Sequence, residues 1–324
     1  VTGASGHLGV NVIRSLVGAG ETVRAVDLRL SAAIDGLPTE FVRADVLDQQ
    51  ALQKAFAGAE IVLHLAARIS IAGDPDGSVR RVNVEGVRHA AEAALAAGVG
   101  RFVHCSSLHA FDVGATVGPI RETGLRATDP RLPAYDRSKA AGEDELRRVI
   151  DRGLDAVILN PSGMIGPVDP EPSRMGRALL AMFGGRLPFT VRGAFDWVDV
   201  RDVAAALTAA AERGRRGENY LIGGHRAPFT ELARSAAEVA GRRPARLVLP
   251  LRPVKMAAAA TVRAAGPRHA GRLLLTPESL HALETDPVID CSKAIAELGH
   301  RPRPLRETIA DLYASFVAEG RLRA

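Results

Sequence analysis

The chain has 324 residues, 47% hydrophobic, 24% charged and 4% aromatic, with a formal net charge of +5. That length and apolar content sustain a full core and exclude a mainly disordered chain. No run of about 18 apolar residues marks a membrane-spanning helix. Two cysteines, Cys105 and Cys291, exclude a disulfide framework and fit a reducing cytoplasm. Arginines and lysines are interleaved with acids, so the charge points to no nucleic-acid partner. Only four of the 42 basic residues are lysines (Lys54, Lys139, Lys255 and Lys293), which makes a lysine at a chemically apt position informative. The opening residues do not read as a secretory leader. They read as the last residues of a strand, so a few more residues are expected upstream.

The first two-thirds alternates short apolar runs with helical patterns. Residues 22–27, 40–43, 61–65, 101–106 and 156–160 read as strands, and 10–18, 49–56, 79–97 and 134–152 as helices. Gly20, Gly58, Gly98 and Gly153 stand where helices should stop. This alternation predicts an α/β, Rossmann-type doubly wound parallel sheet covered on both faces. After Pro161 a Pro/Gly-rich stretch runs to Pro188. Residues 195–200 and 218–222 then read as strands, and 203–212, 230–240, 253–265, 291–298 and 305–319 as helices. The division expected is a dinucleotide-binding domain of residues 1–160 and 196–224, with a smaller, mostly helical substrate lobe of 161–195 and 225–324.

Val1-Thr2-Gly3-Ala4-Ser5-Gly6-His7-Leu8-Gly9 ends a strand and opens a helix. In this context Gly3 permits the tight turn, Gly6 lets backbone N–H groups approach a pyrophosphate, and Gly9 permits close helix–sheet contact. The helix N-terminus then faces the phosphates with its positive dipole end. Asp27, at the end of the next strand, would accept from the adenosine ribose hydroxyls and repel a 2′-phosphate. NAD(H) is therefore expected over NADP(H), with NADP the alternative because Arg29 lies two residues on. Asp45 follows a strand at a place where an acid could meet the adenine amine; a helix N-cap is its other reading.

Tyr135 and Lys139 stand at i and i+4, on one helix face. Ser106 and Ser107 close a strand at the carboxyl edge of the sheet, where open α/β sheets bind ligands. Carbonyl reduction needs a hydride on carbon and a proton on oxygen. A phenol ionising near pH 10 is a poor donor and acceptor at neutrality, and a nearby ammonium would lower that value. A drop of two units corresponds to about 2.7 kcal/mol.

With these residues the sequence resembles the extended short-chain dehydrogenase/reductase family, also called the NAD-dependent epimerase/dehydratase family. The glycine loop, Ala44-Asp45-Val46, Leu63-His64-Leu65-Ala66-Ala67, Val82-Asn83-Val84-Glu85-Gly86, Cys105-Ser106-Ser107, the Tyr135/Lys139 pair and Asn160-Pro161-Ser162 carry the resemblance. So do Gly166-Pro167, the run from Asp196 to Ala204, and the tail from Ser292 to Leu305. The nearest branch is that of dihydroflavonol reductase, 3β-hydroxysteroid dehydrogenase and a hopanoid-associated sugar epimerase. The resemblance implies Ser107 as the catalytic serine rather than Ser106, Tyr135 as acid/base, and Lys139 as the group that lowers its pKa and binds the nicotinamide ribose. It implies further that His7 and Leu8 lie under the pyrophosphate and that Asp45 and Val46 flank adenine. Leu65, Ala66, Ala67 and Asn83 would line the cofactor. Pro161, Ser162 and Met164 would approach the nicotinamide, and Asn160 and Ser107 would border the substrate. The segment Leu108-His109-Ala110-Phe111 lacks the Tyr-Gly of sugar-nucleotide epimerases.

The expected activity is interconversion of a hydroxyl and a carbonyl on a small apolar molecule, with Met175, Leu179, Leu180, Met182 and Phe183 as candidates for a lipophilic cleft or for core. The alternative is a nucleotide-sugar epimerase or dehydratase, with Arg174, Arg177 and Arg226 as candidates for a diphosphate. A third reading, a non-enzymatic cofactor sensor, has no use for Tyr135 and Lys139. No H-E-x-x-H or comparable spacing marks a metal site. The basic stretch 252–272 reads as a solvated or packed helix before a membrane-surface contact. A homodimer is compatible with the helical faces, though no residue pattern requires one.

Overall fold

The computed structural model describes residues 1–70, 73–265 and 273–323. Helix α1 (His7–Gly18) precedes β1 (Val23–Asp27), β2 (Thr39–Arg43), α2 (Gln49–Phe56) and β3 (Ile61–His64). Next come α3 (Ser78–Arg80), a π-helical turn (Arg81–Glu85) and α4 (Gly86–Ala96), where one continuous helix was expected. Then follow β4 (Arg101–Cys105), a 3-10 turn (Leu108–Ala110), α5 (Ala134–Asp151) and β5 (Ala156–Pro161). Gly20, Gly58, Gly98 and Gly153 all have positive φ, which ends the preceding helices as expected.

The main sheet is parallel. Thr2 bridges both Val26 and His64, so the opening residues lie between β1 and β3, and the order is β2-β1-(Thr2)-β3-β4-β5-β9, with β9 at Asn219–Ile222. Successive side chains of β4 and β5 enter opposite cores. Val103, Cys105, Val157 and Leu159 pack in the core that also holds Leu8 and Val12 of α1 and Val203 and Leu207 of α7 (Val200–Arg213). Phe102, Ala156 and Ile158 pack with Phe56, Val87 and Leu146 of α2, α4 and α5. Burial on both faces accounts for the unbroken apolar runs seen in the sequence.

The rest is less regular than the sequence suggests. The Pro/Gly-rich stretch contains β6 (Gly163–Ile165), α6 (Arg174–Phe183) and β7 (Phe189–Val191). Strand β8 (Ala194–Asp199) does not join the main sheet; it pairs in parallel with β6 and antiparallel with β10 (His225–Pro228). Helix α8 (Phe229–Val239), β11 (Leu247–Leu249, paired with β7), α9 (Leu251–Ala265), α10 (Pro277–Thr285), α11 (Ser292–Leu298) and α12 (Leu305–Ala318) follow. Leu179, Met182 and Phe183 of α6 are core, and Met175 and Leu180 pack against it, so these residues fill the lobe and do not line a cleft. Of the basic stretch 252–272, residues up to 265 form α9 and the remainder lies outside the described residues. Among the described residues no helix is long and apolar enough to cross a membrane.

His64 and His104 sit side by side on β3 and β4, with stacked rings 5.5 Å apart. Thr2 Oγ1 lies 2.8 Å from His64 Nδ1, while neither ring nitrogen of His104 meets a partner among the described residues. Burial first, and then the Lys139 charge, lower His64 to about 3 and hold His104 well below the ordinary 6.5. Both are neutral in the folded protein and free to protonate in the unfolded chain. Their contribution is therefore complete above the unfolded value and is lost as pH falls below it, by up to about 1.4 kcal/mol per pH unit for each ring. Thermal denaturation from pH 7 to pH 4 should show a falling Tm, with a shallower fall in His104→Phe. An unchanged slope in that variant would contradict this account.

Candidate active site

The glycine loop is built by close approach. Gly3 has φ +67, and a Cβ on it would lie 2.7 Å from Ala66 N; a Cβ on Gly9 would lie 2.1 Å from Gly3 O. At Gly6 only Gly3 O comes near, at 3.4 Å, so this glycine faces open space where a ligand backbone could approach. No side chain caps α1, which leaves first-turn N–H groups for an anion. Asp27 accepts from Ser5 N–H at 2.9 Å and from Leu28 N–H at 2.7 Å, so the acid at the end of β1 also fixes the loop. Arg29 pairs with Glu171 in an exposed ion pair. These residues fit a dinucleotide.

Several expected contacts take other forms. Leu8 is buried in the core, so only its backbone faces the loop. The His7 ring lies 3.1 Å from Gly166 O and 3.2 Å from Pro167 O, tying α1 to the 166–168 segment. Asp45 accepts from Leu47 N–H, and the N-cap of α2 is Asp48. Val46 packs where a Cβ on Gly86 would meet it at 2.9 Å. Leu65 and Ala66 are half-buried and Ala67 exposed along the segment beside Gly3. Asn83 is buried: it accepts from Arg68 N–H and donates to Arg68 O and Ser138 Oγ, so it holds the 65–68 segment against α5. Ser162 donates to Asp196 Oδ1, and Met164 packs against the core beside it. Pro161 is the last residue of β5.

The two serines of the β4 edge face different neighbours. Ser106 donates to the buried Glu143 at 2.5 Å. The Ser107 hydroxyl accepts from His109 N–H at 3.2 Å, and it lies near enough to the Tyr135 phenol to oppose the rise in its pKa. This separates them: Ser106 is spent on Glu143, and Ser107 is the serine nearer the phenol. Asn160, expected at the substrate, is buried instead. It donates to Ser107 O and Glu143 Oε1 and accepts from Asn219, so its side chain is fully engaged and positions Ser107 from behind.

Lys139 is buried one turn beyond Tyr135, and its ammonium donates to Cys105 O at 3.1 Å. Burial lowers its pKa, opposed by Cys105 and Glu143. The sequence led to the expectation that Lys139 would lower the Tyr135 pKa; here the phenol is shifted the other way. Burial raises it, the Ser107 hydrogen bond opposes the rise, and the charges of Cys105 and Asp136 add to it. With the ammonium bound to the Cys105 carbonyl, desolvation of the phenolate dominates.

Two residues beside Tyr135, His109 and Asp136, were given no role there from the sequence. His109 meets the Tyr135 ring edge-on at 5.8 Å, stacks on Phe195 at 6.1 Å, and its Nδ1 lies 3.3 Å from Asp136. The only sequence signals were their positions, two residues after Ser107 and one after Tyr135. These residues line a cleft with Ile69, Val113, Leu132, Pro133 and Ala282, closed on one side by α10. Arg226 is paired with Asp286, whereas Arg174 Nη1 and Arg177 Nε are buried without partners among the described residues. Among the described residues no cluster of His, Cys, Asp and Glu could hold a metal ion.

Comparison with known proteins places the chain in a family. The model of the NAD dependent epimerase/dehydratase family matches residues 1–223, and the chain belongs to that family. It is an NAD(P)-dependent oxidoreductase of the extended short-chain dehydrogenase/reductase type. Sterol demethylase protein B of Methylococcus capsulatus is 35% identical over 99% of this chain and 98% of its own. Ceramide reductase of Caulobacter vibrioides is 34% identical over 77% of this chain and 73% of its own. The crystal structure of gox2253 is similar with a TM-score of 0.84 at 32% identity, covering 99% of this chain and 98% of that one.

Tyrosinate absorbance in ligand-free protein, recorded as a difference against Tyr135→Phe, should place the Tyr135 ionisation above the ordinary value of 10.0. An ionisation below that value would show that the burial argument is wrong.

Proposed function

We propose that the protein interconverts a hydroxyl and a carbonyl on a small apolar molecule, with NAD(H) as the hydride partner and Tyr135 as the acid/base. The observation that carries this reading is the Tyr135 phenol, one turn before the buried Lys139, at a cleft where Ile69, Val113, Leu132, Pro133 and Ala282 stand among polar neighbours. Bound nicotinamide supplies hydride exchange at carbon. The chain's own groups handle the oxygen. Ser107 orients it and, in the reducing direction, Tyr135 donates the proton, which burial keeps on the phenol. Lys139 would hold the nicotinamide ribose, and its ammonium adds positive charge near the phenol. The relatives named for sterol demethylation and ceramide reduction support an apolar substrate.

Asp27 favours NAD(H). Its carboxylate, fixed by two backbone N–H groups, suits ribose hydroxyls and opposes a 2′-phosphate. The expected result is at least a ~10-fold higher kcat/KM with NADH than with NADPH, narrowed in Asp27→Ala, for a site of this chemistry. Tyr135→Phe should cut kcat by about 10²- to 10⁴-fold while retaining NADH binding. Preference for NADPH would defeat the cofactor assignment, and undiminished turnover in Tyr135→Phe the assignment of the acid.

One observation favours a second reading, a nucleotide-sugar epimerase or dehydratase. Arg174 and Arg177 each have one buried guanidinium nitrogen without a partner among the described residues, and burial together with Arg177 lowers Arg174 to about 10. Such a pair would suit a diphosphate. Protein that retains NAD through purification and converts UDP-glucose without net NADH turnover would establish this reading over the first.

A further inference from the structure

We propose that His109, held by Asp136, is a second substrate-binding group, so that the molecule taken by the cleft carries another oxygen function close to the carbon that exchanges hydride. This rests on the reading of Tyr135 as the acid/base.

Four observations converge on the imidazole. It borders the same cleft as the Tyr135 phenol. Its ring is fixed between the Tyr135 edge and the Phe195 face, at 5.8 and 6.1 Å. Its Nδ1 is engaged by Asp136 at 3.3 Å, which favours the proton on that nitrogen or a doubly protonated ring. Its Nε2 has no partner among the described residues, and the side chain is 28% exposed. A histidine that only filled space against Phe195 would have no need of a carboxylate behind it. One nitrogen anchored to an acid and the other free beside a cleft is an arrangement that orients a ring towards a ligand.

The charged and titratable groups around the ring define its state. Asp136 and Tyr135 face it from α5, with Lys139 one turn further on, and Glu278 and His281 lie across the cleft on α10. Burial alone would lower the His109 pKa, but the charge and hydrogen bond of Asp136 outweigh it and the net direction is upward. The ring is therefore a stronger donor towards neutral pH than a free imidazole. A protonated Nε2 can donate to a ketone, hydroxyl or carboxylate oxygen of the substrate. The reacting oxygen remains with Tyr135 and Ser107. Substrates with one isolated ketone lack the partner for this donor. Those with a second oxygen on a neighbouring carbon have it.

The test uses NADH-loaded protein and two probes on the same ring, cyclohexanone and 1,2-cyclohexanedione. Wild-type protein should prefer the dione in kcat/KM by about 10-fold, the scale of one charge-assisted hydrogen bond. His109→Gln should reduce that ratio several-fold, chiefly through KM for the dione, and His109→Phe should abolish it. The ratio should fall as pH rises through the His109 ionisation. In Asp136→Asn, where the carboxylate no longer raises that ionisation, the fall should occur at lower pH. An equal ratio in wild type and His109→Phe, or a pH profile unmoved by Asp136→Asn, would assign His109 a packing role and overturn the inference. Undiminished turnover in Tyr135→Phe, with the dione preference still dependent on His109, would overturn the acid/base reading instead and leave the second contact standing.

Discussion

The close approach of α5 to the turn that precedes α4 is the constraint on which the site depends. A Cβ on Gly142 would lie 2.2 Å from Asn83 O, closer than any side chain permits, so only glycine lets the two segments meet. The contact is locked by Asn83 bonding to Ser138 and, through Arg68, to the segment beside Gly3. Gly142 and Ser138 bracket Lys139, and Tyr135 is one turn earlier. One helix docking therefore sets the phenol, the ammonium and the loop that follows β3.

A second layer fixes the other half of the site. Glu143, fully buried on α5, accepts from Ser106, Asn160 and Asn219 and pairs with Arg126 at 2.8 Å. Asn160 also holds the Ser107 carbonyl. Strands β4, β5 and β9 and helix α5 thus meet at one carboxylate, and Ser107, held at its carbonyl by Asn160 and at its hydroxyl by His109 N–H, is kept apart from it. A buried charge is tolerated there because every neighbour donates to it. The polar groups that surround the site serve mainly to place two hydroxyls.

The α/β alternation was legible because strands buried on both faces leave continuous apolar runs and because glycines at 20, 58, 98 and 153 mark the helix ends. Spacing placed Tyr135 and Lys139 on one helix face and Ser106 and Ser107 at a strand end, while the choice of Ser107 came from the family resemblance. Sheet membership was not legible. The run Ala194–Asp199 reads as a strand whichever sheet it joins, and its pairing with β6 and β10 depends on tertiary contacts. Helices α6 and α10 were missed because each is a short turn-flanked piece within Pro/Gly-rich or irregular sequence. Asn160 and Asn83 were read as ligand contacts; whether an amide is spent on protein or left for ligand is decided by partners far away in sequence. The phenol's shift was misjudged for a similar reason, since spacing on a helix does not reveal that Lys139 turns to the Cys105 carbonyl.

A crystal structure with NAD+ bound tests the central claim most directly. The account predicts the pyrophosphate at the N–H groups of the first turn of α1, the adenosine ribose at Asp27, and the nicotinamide ring beside Tyr135 and Met164. Lys139 is then withdrawn from the Cys105 carbonyl to the ribose. A dinucleotide seated away from the glycine loop, or a nicotinamide ring remote from Tyr135, would contradict it.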